Sequence, residues 1–235
     1  MFPQTPWPDS SYMGFLAPEA RDALRGLGRM KLYEPGETLV LQGEPGDVAF
    51  LILSGRVNVT VVVENGAESL LAIRHPGDIV GERAVLNDEA RMATVTARIR
   101  TSVLVIPGRR FKDFLGEHPG AAIALASMAN FRLKQSNTYR ADAMGYAVNA
   151  RLARTVLYQA ELFAKKVDGE FRLDLLQVEL GMLIGAQEGT VQKAFKGDAL
   201  RDLVVSRRGR IFIRDVVGLA EIADIPPPAR LLAAG

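Results

Sequence analysis

The hydrophobic period changes once along this chain, near Pro107, and that change limits the fold more than any other feature. Over residues 30–106, apolar residues come in short alternating runs separated by glycine turns: "EPGE", "QGEPGD", "LSGR", "ENGA" and "HPGD". A period of two marks half-buried strands. In "RVNVTVVVENG" it puts Val57, Val59, Val61 and Val63 on one face and ends on Asn65-Gly66, a hairpin dipeptide. Many short strands at near-regular turn spacing predict a β-sandwich or jelly roll. Residues 22–27 belong to a leading helix. Beyond Pro107 the spacing becomes helical: Phe111, Phe114 and Leu115 share a face, and Pro119 opens a long stretch without strand alternation.

That stretch carries a stripe of Leu125, Ala129, Ser136 and Tyr139, with Arg132 as its odd member. The stripe suits a helix packed on the sheet or, given its length and small residues, a dimer helix. Gly145 is placed as a hinge. The last third reads as helices with one small hairpin. Leu152, Val156, Leu157 and Ala160 sit at helical spacing, and two short helices flank a turn at Gly185. Two β runs then meet at Arg208-Gly209. A helix pair followed by a basic hairpin is the layout of a winged helix-turn-helix. The tail "IPPPARLLAAG" is read as stiff and peripheral. The expected fold is α+β in three parts: a β jelly roll over 1–118, a long helix and hinge over 119–144, and a winged helix-turn-helix over 145–235.

Composition removes several functions. The 235 residues suit two domains, and 48% hydrophobic content suffices for real cores. Cysteine is absent, which excludes disulfides, thiolate nucleophiles and iron–sulfur ligation. The two histidines, His75 and His118, each precede a proline and are expected in surface loops. No Ser-His-Asp set, metal cluster or GxxxxGK[ST] loop is present, so neither an enzyme nor a resident cofactor is expected. The N-terminus lacks the basic start and apolar stretch of a secretory leader, and no apolar run is long enough to cross a bilayer. A cytoplasmic location without membrane contact is expected. The net charge is only +2, but residues 193–214 hold Lys193, Lys196, Arg201, Arg207, Arg208, Arg210 and Arg214 against Asp198 and Asp202.

The segment "GERAVLNDEARMATVTA", residues 81–97, carries the chemistry. Gly81-Glu82, the small Ala84, then Arg91-Met92 leading into a β run resembles the phosphate-binding cassette of cyclic-nucleotide-binding domains. With the jelly roll, the long helix and the winged module, the whole chain resembles the catabolite activator (Crp/Fnr) family of bacterial transcription regulators. The residue types suit that ligand in their own right. A guanidinium forks onto phosphate oxygens, so Arg91 suits the cyclic phosphodiester. A carboxylate only accepts, so Glu82 suits a ribose 2′-hydroxyl. Residues 83–86 are read as one helical turn whose first N–H groups face the same phosphate. The resemblance implies a further phosphate contact from the Met92 amide and base contacts from Ser136 and Asn137. Two residues depart from the family pattern: Arg83, where an apolar residue is usual, and Met92, where a small or hydroxyl residue is usual. The alternative for Glu82 and Arg91 is a salt bridge at a loop mouth.

In the second module, Gln187, Glu188, Thr190, Gln192, Lys193 and Lys196 are candidates for a recognition helix in the DNA major groove. Arg207, Arg208 and Arg210 on the wing suit phosphates. Glu188-Gly189 stands where the family's better-known members carry Arg-Glu. The resemblance implies a homodimer gated by a cyclic nucleotide, most naturally cyclic AMP. It also implies palindromic double-stranded DNA and RNA polymerase as partners. The alternative is a cyclic-nucleotide-binding module that signals to a protein partner.

Overall fold

The computed structural model describes residues 7–233. Residues 1–6 of the stretch read for a leader, and residues 234–235 of the tail, lie outside them. The chain divides into two compact units, Met1–Lys134 and Gln135–Gly235. The division falls inside the long helix, whereas the sequence suggested boundaries at each end of it.

In the first unit, helices α1 (Tyr12–Phe15) and α2 (Pro18–Arg25) precede eight strands. Pro18 opens α2 at N1 and Gly26 caps it, so residues 22–25 of the expected leading helix are helical and Leu27 lies beyond its cap. The strands are β1 (Arg29–Tyr33), β2 (Thr38–Val40), β3 (Val48–Ser54), β4 (Val57–Val62), β5 (Glu68–Arg74), β6 (Ile79–Val80), β7 (Thr94–Ala97) and β8 (Thr101–Pro107). They form two antiparallel sheets ordered β1-β8-β3-β6 and β2-β7-β4-β5, a jelly roll. Tyr33, Phe50, Ile52, Val57, Val95 and Val103 fill the space between the sheets. Ala49, Leu51 and Leu53 point the other way, into a second core with Tyr12, Leu24, Phe111 and Phe114. β3 is therefore buried on both faces, which explains the unbroken apolar run "AFLIL". The valine alternation of β4 is interrupted. A register shift between Val59 and Thr60 lets Val57 and Thr60 be the buried pair.

Helix α3 (Glu82–Asn87) links β6 to β7, and α4 (Gly108–Glu117) follows β8. Helix α5 (Pro119–Gly145) then runs 27 residues. Its first turns lie on the jelly roll, with Ala121, Ala124, Leu125 and Met128 in the core. The stripe read as a dimer seam thus begins as an intrachain face. The large exposed apolar residues of α5 are Ile123, Leu133 and Met144.

The second unit contains α6 (Val148–Phe163), β9 (Lys165–Val167), β10 (Glu170–Leu173), α7 (Gln177–Ile184), α8 (Glu188–Lys196), β11 (Val204–Arg207), β12 (Arg210–Ile213), α9 (Val216–Ala223) and α10 (Ala229–Ala233). Its sheet is ordered β11-β12-β10-β9. The β9–β10 hairpin was not anticipated, although Asp168-Gly169 is a strong turn dipeptide and both residues have positive φ (50° and 81°). Gly145 is not a free joint. Across it, Asp142 pairs with Arg154 at 2.9 Å, Arg154 stacks 4.3 Å from the Tyr146 ring, and Gln159 donates to the Tyr139 hydroxyl at 3.1 Å. The tail is not wholly peripheral, since Leu231 of α10 is buried. No helix among the described residues is long and apolar enough to cross a membrane.

Candidate functional site

The cassette around Arg91 is built by two loops that brace each other. Gly43 donates to the Arg91 carbonyl at 2.8 Å, the Arg91 amide donates to the Glu44 carbonyl at 2.8 Å, and Pro45 and Ala90 form a β-bridge. The "QGEPGD" turn thus becomes a wall for the arginine. A Cβ on Gly46 would lie 2.6 Å from the Ala84 Cβ and 2.7 Å from the Arg91 Cζ, so both the glycine and the small Ala84 are required by close approach. Gly46→Ala is expected to displace the guanidinium and weaken anion binding by on the order of tenfold. Gly120→Ala, where a Cβ meets open space, should leave it unchanged. Titration of a cyclic nucleotide against both variants checks this, and equal affinities would refute it.

Arg91 is 7% exposed. Its Nη1 donates to the Gly81 carbonyl at 2.8 Å and its Nη2 to the Val48 carbonyl at 2.7 Å. A guanidinium has five N–H donors, so three remain. Burial lowers its pKa, while Asp47, Glu82 and Glu44 act in the opposite sense. It stays a cation, as arginine does in proteins.

Glu82, at the start of α3, accepts a hydrogen bond from Arg132 Nη1 at 2.9 Å. Arg132 reaches in from α5. Its Nη2 also donates to the Ile79 carbonyl at 2.8 Å and lies 3.4 Å from Asp78 Oδ1. Asp78 Oδ2 in turn accepts from the His75 amide at 2.9 Å, closing the "HPGD" turn. Arg132 Nε is buried and has no partner among the described residues, an orphaned donor of the kind that demands explanation. The odd arginine of the helix stripe is therefore part of the site. His75 is buried, not on the surface as expected. Burial first, then Arg56, Arg74 and Arg98, hold its pKa down to about 3, so it is neutral. His118 is half-buried against Phe114.

These groups border a cavity of about 280 Å³, just below the usual 300–1,000 Å³ range of small-molecule sites. Its walls are mainly apolar, with Val40, Val59, Val80, Val95 and Ala129 among them. Four arginines, Arg74, Arg83, Arg91 and Arg132, and one carboxylate, Glu82, supply its charge. Such a lining favours a compact anion with an apolar body. Gly81, Glu82, Arg83, Ala84, Arg91 and Met92 all line it. Arg83 and Met92, the two departures from the family pattern, meet each other: Arg83 Nη1 lies 3.1 Å from the Met92 sulfur, and Nη2 pairs with Glu89 at 2.9 Å. Ser136 and Asn137 are exposed and do not line this cavity. Arg74 and Arg132 were missed. A charged residue in an apolar stripe was the available signal for Arg132. None marked Arg74.

In the C-terminal unit, α7 and α8 flank Gly185, which has a left-handed φ of 66°. Val191 and Phe195 are buried, while Glu188, Thr190, Gln192, Lys193, Arg207, Arg208 and Arg210 are exposed or half-exposed, as are Gln187 and Lys196. Several of these nine DNA candidates are engaged within the protein. Gln192 donates to Glu188 at 3.1 Å. Glu170 of β10 accepts two hydrogen bonds from Arg207, at 2.7 and 2.8 Å, and one from Arg214 at 3.2 Å. Arg210 pairs with Asp174 at 3.1 Å.

Residues 30–118 match the family described as Cyclic nucleotide-binding domain. A CRP-like cAMP-activated global transcriptional regulator of Mycobacterium tuberculosis is 29% identical over 190 residues, which is 80% of this chain and 85% of that protein. The cAMP-activated global transcriptional regulator CRP of Salmonella typhimurium is 27% identical over 170 residues, 70% of this chain and 79% of that one. A crystal structure of a CRP-family transcriptional regulator from Thermus thermophilus superposes with a TM-score of 0.71 at 21% identity. That match covers 85% of this chain and 99% of the other, and speaks for the fold. The relatives are transcription regulators, not enzymes. With the jelly roll, the Gly81–Met92 cassette and the winged helix pair in place, the chain is similar to the Crp/Fnr family of transcription regulators, and its residues 30–118 match a cyclic nucleotide-binding domain.

Proposed function

We propose that this protein is a cytoplasmic, homodimeric transcription regulator gated by a 3′,5′-cyclic nucleotide. The observation that carries the reading is the Arg91 guanidinium. Two backbone carbonyls hold it at 2.7 and 2.8 Å, and three of its donors remain beside an apolar cavity. The phosphodiester sits on Arg91 and the Met92 amide. The ribose hydroxyl donates to Glu82, whose orientation Arg132 fixes. The relatives' names favour cyclic AMP as the ligand. Arg132 carries the signal, because it ties the sugar-binding carboxylate to α5. A nucleotide that binds one arrangement of α5 better than another shifts the population between them. A second copy would pair through the exposed apolar face of α5, and the two winged modules would read half-sites about 34 Å apart. RNA polymerase is the further partner that such a regulator implies.

A second reading has its own support: Glu188 holds Gln192, and acids hold the wing arginines, which suits a module that signals to a protein instead. Calorimetric titration of cyclic AMP and cyclic GMP, followed by capture of genomic fragments at a stated salt concentration, separates the two. Nucleotide-dependent enrichment of a palindrome is the expected result. Nucleotide binding without enrichment at low salt favours the protein partner. The absence of nucleotide binding overturns both.

A further inference from the structure

Two cavity-lining residues of the cassette reach solvent and touch each other. Arg83 lies in the first turn of α3, and Met92 directly follows Arg91. Both line the cavity, yet the Arg83 side chain is 55% exposed and Met92 is 54% exposed. Glu89 accepts from Arg83 Nη2 at 2.9 Å and anchors the guanidinium. The other terminal nitrogen, Nη1, lies 3.1 Å from the Met92 sulfur. A thioether is a weak acceptor, so a charged donor gains little there. Arg91 and Arg132 are placed differently. Each terminal nitrogen of Arg91 already donates to a buried carbonyl. Arg132 is committed to Glu82, Asp78 and the Ile79 carbonyl.

A cyclic phosphodiester spreads one negative charge over two exocyclic oxygens that diverge from phosphorus. On the reading above, Arg91 and the Met92 amide take this group, and the present inference rests on that reading. Arg91 is buried and approaches from the protein side, so the outer oxygen is left toward Met92 and solvent. Arg83 is the cation beside Met92. We infer that the Arg83 side chain is a second phosphate ligand: when the nucleotide binds, Nη1 leaves the Met92 sulfur for the outer exocyclic oxygen, while Nη2 stays on Glu89. A charged oxygen is a far stronger acceptor than a thioether, which drives the exchange. Glu89 already restrains the side chain, so little rotamer freedom is left to lose on binding. A plain surface ion pair between Arg83 and Glu89 would contribute almost nothing to ligand binding, and that contrast makes the role measurable.

The test is calorimetry on the full chain with whichever of cyclic AMP and cyclic GMP binds more tightly. Its two phosphorothioate diastereomers are titrated beside it, each with sulfur in place of one exocyclic oxygen. Sulfur is the poorer acceptor, so each diastereomer spoils one of the two oxygen positions. Arg83→Met keeps an extended stem and loses the donors. The position is exposed, so the ligand-free variant should melt within about 2 °C of wild type. The all-oxygen nucleotide should bind about three- to tenfold more weakly to Arg83→Met, the low end for a charge-assisted contact because the site is partly wet. One diastereomer should weaken by the same factor. The other should weaken by less than about twofold, because the oxygen that Arg83 would meet is already gone from it. This asymmetry is the readout, since loss of a positive charge alone acts on both diastereomers alike. It is read within one protein and does not depend on how much of the variant is folded. Equal weakening of both diastereomers, or of neither, overturns the role of Arg83 and leaves the nucleotide site standing. Wild-type protein that binds neither cyclic AMP nor cyclic GMP removes the site itself, and this inference with it.

Discussion

Arg91→Ala is expected to raise the dissociation constant for the cyclic nucleotide by about 10²–10⁴-fold, because two charge-assisted hydrogen bonds are lost at about 1.5–3 kcal/mol each. The same change orphans the Gly81 and Val48 carbonyls, which Arg91 satisfies in a buried setting. An unsatisfied buried polar group costs about 1–3 kcal/mol, so the variant should also melt at a lower temperature. Arg91→Lys separates the two effects. It keeps the charge, but an ammonium lacks the planar fork that spans two carbonyls while facing an anion. It should recover part of the binding and little of the stability. Thermal melting with and without nucleotide reports both quantities at once. Wild-type protein should be stabilised by the ligand, and Arg91→Ala should show no shift at the same ligand concentration. A full ligand-induced shift in Arg91→Ala would place the phosphate elsewhere and end the proposed reading.

The local signals in the chain survive into the structure because turns and periods are local. Asn65-Gly66, Arg208-Gly209 and the helix start at Pro119 all stand where sequence places them, since each depends on backbone preferences over a few residues. The Glu82–Arg91 cassette was legible for a related reason: its residues lie close in sequence, and their types match one ligand's charge and hydroxyl. What was not legible came from distant parts of the chain. Arg132 meets Glu82 across 50 residues of sequence, and only the docking of α5 on the jelly roll brings them together. Arg74 faces the cavity because of its place at the end of β5, beside a register shift that alternation alone does not reveal. His75 sits in a turn that sequence assigns to the surface, yet α1 covers that turn: the Met13 amide donates to the Gly77 carbonyl at 3.0 Å. The acids that hold the wing arginines escaped for the same reason. Glu170 and Arg207 are 37 residues apart and meet only through the sheet in which β12 pairs with both β10 and β11.

Those acids set the second large effect. A basic window suggests a clamp for DNA phosphates, but Arg207 and Arg214 both donate to Glu170, and Arg210 pairs with Asp174. The hydrogen bond from Arg207 comes first among the causes that hold the Glu170 carboxyl below its ordinary pKa. A depressed folded-state pKa means that the clamp contributes stability above the unfolded carboxylate range and loses it as pH falls through the lower folded value. At neutral pH the clamp is therefore fully charged and competes with phosphate for the same guanidinium groups. Glu170→Gln removes the charge and leaves one carbonyl oxygen for two arginines. If the C-terminal unit binds DNA, each protomer then gains about one or two phosphate contacts, and a dimer about two to four. The slope of log K against log salt should steepen by about 2–4, with affinity at low salt rising on the order of tenfold to a hundredfold. Specific and random duplexes should gain alike, because phosphate contacts carry no sequence information. An unchanged slope would mean that these arginines never face the DNA. A fall in affinity would mean that Glu170 positions Arg207 for its contact instead of withholding it. The direction of the change decides whether this hairpin is a restrained wing or a prearranged one.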